Sequence, residues 1–155
     1  MNRLQFLWIF LLSLSTIFNS CAQKTFDEMV QSISDDDVPT VQPETLSNWK
    51  SSNSSITLLD SRSKEEYQVS HLPDALFAEY DSFDAENYEN LDRQDTIVVY
   101  CTVGYRSGKV GEELQEKGFK NVFNLYGGML NWSNHGLPLY DTLGNPTQKV
   151  HAYSK

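Results

Sequence analysis

The sequence predicts an α/β domain of three layers, with a central, mainly parallel β-sheet flanked by helices. Three observations carry this. Short apolar runs recur along the chain, at Ile56–Leu59, Thr96–Tyr100 and Val122–Leu125. They are short enough for strands and lack the polar alternation of a sheet with one wet face. Segments of helical character separate them, the pattern of βα units. The 155-residue chain, 39% hydrophobic and 21% charged, suffices for one compact core and is too short for two.

The elements follow in order. Pro43 and Glu44 open a helix that runs through Trp49, because proline is tolerated in a first helical turn. Ser51–Ser55 is a polar break. Ile56–Leu59 reads as a buried strand ending at Asp60. Ser63 followed by Glu66 is a capping-box spacing and starts a short helix to Gln68. Leu72-Pro73-Asp74 reads as a turn and Ala75–Ala78 as another short strand. Residues 81–93, acidic and tyrosine-rich, read as a loop with a helical turn. Thr96–Tyr100 (TIVVY) is the strongest strand signal. Ser107–Lys117 is the clearest helix, stopped by Gly118. Val122–Leu125 gives a further strand, and Gly127-Gly128 leads into a helix through Trp132 that Gly136 and Pro138 end. From Tyr140 no periodicity remains, so residues 141–155 form a C-terminal tail that wraps the surface or hangs loose.

The N-terminus reads as an address. Arg3 precedes a nearly continuous apolar run from Leu4 to Phe18, short for a membrane span and followed by Asn19-Ser20-Cys21-Ala22. Two processing readings stand: cleavage after Ala22, or a bacterial lipoprotein signal over residues 1–21 with Cys21 as the lipidated first residue. The second is favoured because it explains a cysteine just after the apolar run, although Phe18 stands where leucine is usual. An uncleaved anchor is the third reading. All three place the domain outside the cytoplasm, in the periplasm or cell envelope and, on the favoured reading, lipid-anchored to a bacterial membrane. Residues 22–40, with Asp35–Asp37, read as an acidic tether leading to a domain over 41–140.

Charge excludes some functions. The chain carries a net charge of −9, and removing residues 1–21 takes away Arg3 alone among the charged residues. Nucleic acid, whose phosphates need a basic face, is not an expected partner. Nor is an anionic membrane surface expected to bind through charge; contact with a membrane would come only through the anchor. Of two cysteines, one lies at the processing site, so Cys101 is the one thiol left to the mature domain.

Cys101 directly follows TIVVY and begins the loop Cys101-Thr102-Val103-Gly104-Tyr105-Arg106-Ser107. Ligands of open parallel sheets bind outside the carboxyl ends of the strands. A strand-to-helix loop points several N–H groups at one place, and the helix N-terminus and Arg106 add positive charge. Such surroundings favour a thiolate that also holds an anionic adduct. Gly104 supplies the backbone freedom to curl the loop. An isolated cysteine at a strand end is more often simply buried; the flanking loop, arginine and helix argue for reactivity.

These residues resemble the single-domain rhodaneses, whose strand is followed by C-x-x-G-x-R-S; this chain has CTVGYRS. Leu58-Leu59-Asp60-Ser61-Arg62 is similar to the family's strand ending in Asp-x-Arg. Glu66-Tyr67 and Ser70-His71-Leu72-Pro73-Asp74-Ala75 are similar to its Glu-aromatic and Gly-His-Ile-Pro-Gly-Ala stretches. Lys117 to Val122 and Leu125 to Pro138 are similar to its C-terminal half. Ser70 and Asp74 replace glycines and should alter the turn; Gly108 and Gly111 stand where alanine is frequent and should each cost the helix up to about 1 kcal/mol unless packing repays it.

The resemblance implies a rhodanese-like fold and sulfur transfer through a Cys101 persulfide. Thr102, Val103, Gly104, Tyr105, Arg106 and Ser107 would form the substrate-binding loop, with Arg106 orienting an anionic donor and Ser107 capping the helix. A small sulfur donor such as thiosulfate and a thiol or cyanide acceptor are the implied partners, with no cofactor and no metal. The alternative is a sulfur-relay or binding module served by a protein donor or acceptor. Phosphatase or arsenate reductase chemistry ranks lower, because those relatives use a longer C-x5-R loop and this chain has C-x4-R.

Other residues receive plainer readings. His71 belongs to a turn, and His135 and His151 lack metal-ligand spacing. Asp60 and Arg62 read as a structural polar pair, Trp132 as core, and Gly127-Gly128 as a tight helix entry, since no Lys-Ser/Thr follows.

Overall fold

The computed structural model describes residues 25–33, 37–52 and 55–151. The apolar N-terminal run and Cys21 lie outside the described residues, as do Asp35 and Asp36. The chain divides into two units, residues 1–33 and 34–155. In the first, residues 25–33 are helical (α1). None of the helices among the described residues is long and apolar enough to cross a membrane.

The second unit is built on five parallel strands: β1 (Thr40–Val41), β2 (Ile56–Asp60), β3 (Leu76–Phe77), β4 (Thr96–Tyr100) and β5 (Asn121–Leu125). Their order is β1-β5-β4-β2-β3. β4 is central, with Leu58 opposite Val98 on one side and Val98 opposite Phe123 on the other. Strand alternation distributes side chains to two cores. Leu58, Val98 and Tyr100 pack with Leu46, Met129 and Trp132, from helices α2 (Pro43–Ser51) and α5 (Gly128–Asn134). Leu59, Ile97, Val99 and Val122 pack with Val110 and Leu114 of α4 (Tyr105–Glu116) and with Phe119. Both faces of β4 are therefore buried, which is why TIVVY carries no polar residue after Thr96. The expected three-layer parallel α/β architecture is the one observed.

Most expected elements stand within two residues of their predicted bounds. α3 spans Lys64–Val69, with Ser63 as N-cap and both capping-box bonds present. The stretch read as a loop over 81–93 carries two 3-10 turns, Tyr80–Ser82 at its start and Ala85–Tyr88. α4 differs: it begins at Tyr105, so Arg106 and Ser107 belong to its first turn and Gly104, not Ser107, is the N-cap. Gly104, at φ 120°, reverses the chain within one residue, and no side-chain cap is required there. The tail is ordered at its start. β6 (Leu139–Tyr140) and β7 (Pro146–Thr147) form a small hairpin tied to the domain by reciprocal backbone bonds between His71 and Tyr140.

Asp74, expected to alter its turn, instead takes up a left-handed conformation (φ 62°), and the Ala75 N–H to Leu72 C=O bond still closes the turn. The two helical glycines differ from each other. A Cβ on Gly111 would lie 3.0 and 3.1 Å from the Val38 methyl groups, so its bareness serves close packing. A Cβ on Gly108 would meet only Asn124 Nδ2 at an ordinary 3.6 Å. We expect Gly108→Ala to stabilise the domain by about 0.5–1 kcal/mol through helix propensity. Gly111→Leu should destabilise it by about 1–3 kcal/mol through overpacking. Urea unfolding midpoints with unchanged slopes would check both.

Candidate active site

Cys101 lies at the carboxyl end of β4, 2% exposed, at the mouth of α4. Its Sγ accepts the Gly104 N–H at 3.1 Å. The loop is held from behind by α5. Met129 N–H donates to the Cys101 carbonyl (2.8 Å) and Leu130 N–H to the Thr102 carbonyl (3.1 Å). A Cβ at Gly128, whose φ is +55°, would fall 2.4 Å from the Cys101 carbonyl oxygen, so this approach admits only glycine. In a planar trans peptide the next N–H points opposite the carbonyl. Fixing those two carbonyls on α5 therefore aims the Thr102 and Val103 N–H groups away from it.

Glu66 joins α3 to the loop. Arg106 Nη1 and Nη2 donate to Glu66 Oε2 (2.9 Å) and Oε1 (3.0 Å), a bidentate pair. The Thr102 hydroxyl donates to Glu66 Oε1 (2.8 Å) and accepts from Arg106 Nη2 (3.0 Å). The Ser63 N–H completes the set at 3.1 Å. Burial alone would raise the Glu66 carboxyl, but the Arg106, Ser63 and Thr102 hydrogen bonds prevail and hold it down at about 2. Burial works against the Arg106 charge as well, and the Glu66 bonds overcome it, so this guanidinium titrates above its usual range.

On the other side Asn124 of β5 secures Gly104. Its Nδ2 donates to the Gly104 carbonyl (2.8 Å), and the Ser107 hydroxyl donates to Asn124 Oδ1 (2.8 Å), with Gly104 O at 3.1 Å. A cleft of about 690 Å³ opens above Cys101, lined by Glu66, Tyr80, Asp81, Thr102, Val103, Tyr105, Arg106 and Leu130, with Ser63 at its edge.

With this geometry in view, the comparison with known proteins is direct. Residues 42–135 match the family model described as rhodanese-like domain. The chain belongs to the rhodanese-like family. The rhodanese-like domain is 34% identical over 80 residues to a protein named thiosulfate sulfurtransferase GlpE from Coxiella burnetii, covering 52% of this chain and 74% of that one. It is 30% identical over 99 residues to a sulfurtransferase from Allochromatium vinosum, covering 64% and 92%. In fold it is similar to the rhodanese-like domain of an Anabaena protein (TM-score 0.62, 21% identity, 76% and 89% covered).

The structure brings Cys101, Thr102, Val103, Tyr105 and Arg106 to one cleft, with Gly104 and Ser107 beneath it. His71 lies elsewhere: it stacks on Tyr67 at 4.2 Å and donates from Nδ1 to the Tyr67 carbonyl. Asp60 and Arg62 form a fully buried pair beneath the sheet end, with Arg62 Nε to Asp60 Oδ1 at 2.9 Å and Nη2 to Oδ2 at 2.6 Å. Trp132 is core, its Nε1 bonded to the Pro138 carbonyl. Sequence reasoning missed Glu66 as a loop partner, and Asn124 and Asp81 altogether. An asparagine inside the buried run Val122–Leu125 was the available signal for Asn124.

Because Glu66 sits at about 2 against an ordinary 4.5, its ionised form favours the fold above pH 4.5, and that stabilisation is lost as pH falls toward 2. The depression corresponds to about 3 kcal/mol. We expect Glu66→Gln to lower stability at pH 7 by about 3 kcal/mol, because it removes the carboxylate charge that Arg106, Thr102 and Ser63 converge on. It should also flatten the stability profile between pH 5 and 2. Urea unfolding across that range for both proteins is the check, and parallel profiles would refute it.

Proposed function

We propose that this chain is a sulfurtransferase that carries sulfane sulfur on Cys101. The observation that carries the reading is the Cys101 thiol facing the Gly104 N–H at the start of α4, inside a loop that α5, Glu66 and Asn124 hold rigid. In the first half-reaction the Cys101 thiolate attacks the outer sulfur of a donor X–S, of which thiosulfate is the simplest. The X–S bond breaks and X leaves with its electron pair, as sulfite when thiosulfate is the donor. The Sγ–S bond forms in its place. In the second, a thiol or cyanide attacks the outer sulfur of the persulfide, the S–S bond breaks, and the Cys101 thiolate returns. Gly104 N–H and the dipole of α4 stabilise negative charge on sulfur in both steps.

The short loop supports sulfur over phosphate as the group held. Gly104 N–H reaches Sγ itself, which suits one further atom on the cysteine. The decisive experiment is intact mass of the protein before and after a sulfane donor. The expected result is a gain of one sulfur atom, lost on adding cyanide and absent in Cys101→Ser. No gain with any donor would overturn the reading.

We further propose that residues 1–21 are a lipoprotein-type signal and that the domain works outside the cytoplasm on a lipid anchor at Cys21, the apolar run and its cysteine being the support. Expressed in a bacterial host with labelled fatty acid, the wild-type chain should take up label and Cys21→Ser should not. Equal labelling, or none in either, would refute the anchor.

A further inference from the structure

A donor reaching Cys101 must enter the cleft above it, and the charges lining that cleft do not suit a small dianion. Two acidic residues and one basic residue line it: Glu66, Asp81 and Arg106. The one cation among them, Arg106, is matched by the bidentate Glu66 carboxylate at 2.9 and 3.0 Å. Asp81, exposed on the 3-10 turn after β3, then leaves the wall with an excess negative charge. No lysine lines the cleft among the described residues, and the chain as a whole carries −9. Apart from Ser63 and Thr102, the rest of the wall around Cys101 is apolar and aromatic, formed by Tyr80, Val103, Tyr105 and Leu130; Tyr105 is 52% exposed, a large ring turned to solvent at the mouth. An open, apolar wall beside a reactive atom is the character of a site for an organic group.

We infer that the physiological donor is an organic persulfide, R–S–SH, whose R group is apolar and rests against Leu130, Val103 and the two tyrosines, rather than thiosulfate. This rests on the persulfide-carrier reading and names its donor. The Cys101 thiolate attacks the outer sulfur of R–S–SH, the inner S–S bond breaks, and R–S⁻ departs. The proton stays on the transferred sulfur, and no external oxidant or reductant enters. Arg106 in this account ties Thr102 to α3 and faces Cys101, and its charge is already matched by the Glu66 carboxylate.

The test compares three donors in single-turnover loading of Cys101, read by intact mass: benzyl persulfide, the persulfide of mercaptosuccinate, and thiosulfate. Each rate is divided by that donor's rate with a free small thiol, which removes intrinsic reactivity. The first two donors share the reacting R–S–SH group; the R group of one is an apolar ring and that of the other carries two carboxylates. We expect the benzyl persulfide to load at least tenfold faster than the dicarboxylate and than thiosulfate on this scale. Asp81→Lys should raise the two anionic donors several-fold and leave the benzyl donor unchanged. Leu130→Ala, which keeps the backbone bond to Thr102, should slow the benzyl donor several-fold more than it slows thiosulfate. Equal normalised rates, or faster loading by thiosulfate, would overturn the inference while the sulfurtransferase reading stands. Absence of loading by all three donors would overturn both.

Discussion

Two carbonyl groups, those of Cys101 and Thr102, hold the site in place. Strand β4 ends at Tyr100, and the next two peptides would be free to turn either way. The first N–H groups of α5, which have no partner within their own helix, take those carbonyls instead. One helix end is thereby satisfied, and the loop's orientation is set. Gly128 is the condition for this contact, because any side chain there would meet the Cys101 carbonyl. With the carbonyls drawn back, Gly104 can turn the chain into α4 and present its N–H to the sulfur.

Glu66 adds a second constraint. Locally it completes the capping box of α3, a device contained within four residues. The same carboxylate accepts from Thr102 and Arg106, 36 and 40 residues away. A buried carboxylate with that many donors is well compensated, and removing any one leaves the others with an imperfectly paired charge. The helix start and the loop conformation thus share one group. The consequence for charge is equally direct: the Arg106 charge is matched by Glu66, and the net charge of the cleft wall is decided by what surrounds the pair.

Much of this architecture was legible in the sequence because its signals are local. TIVVY, the capping box at Ser63 and Glu66, the proline entry at Pro43 and the glycine exit at Gly118 each declare themselves within a few residues. Cys101 and its loop were legible for the same reason, since strand, loop and helix are consecutive. What was not legible depends on distant partners. Glu66 gave its local role and concealed its long-range one. Asn124 reads as an interruption of an apolar strand until Gly104 and Ser107 are placed beside it. Strands β1 and β6, two residues each, carry no period at all. Gly111 looked like a defect of α4 until Val38 came within van der Waals contact of it.

The strand order also governs when this site can exist. β1, the first strand of the chain, pairs with β5, the last of the parallel sheet, through Thr40 opposite Asn124 and Val41 opposite Leu125. Asn124 is at once a rung of that pairing and the group that secures Gly104, and α5 follows directly. During synthesis the cysteine therefore emerges after Glu66 but before Asn124 and α5, which also hold its loop. Until residues 124–130 have joined the sheet, the thiol is an ordinary one on an unfolded chain. The ordered Cys101 loop is in this sense a late property of folding, acquired only when the two ends of the sheet's sequence meet.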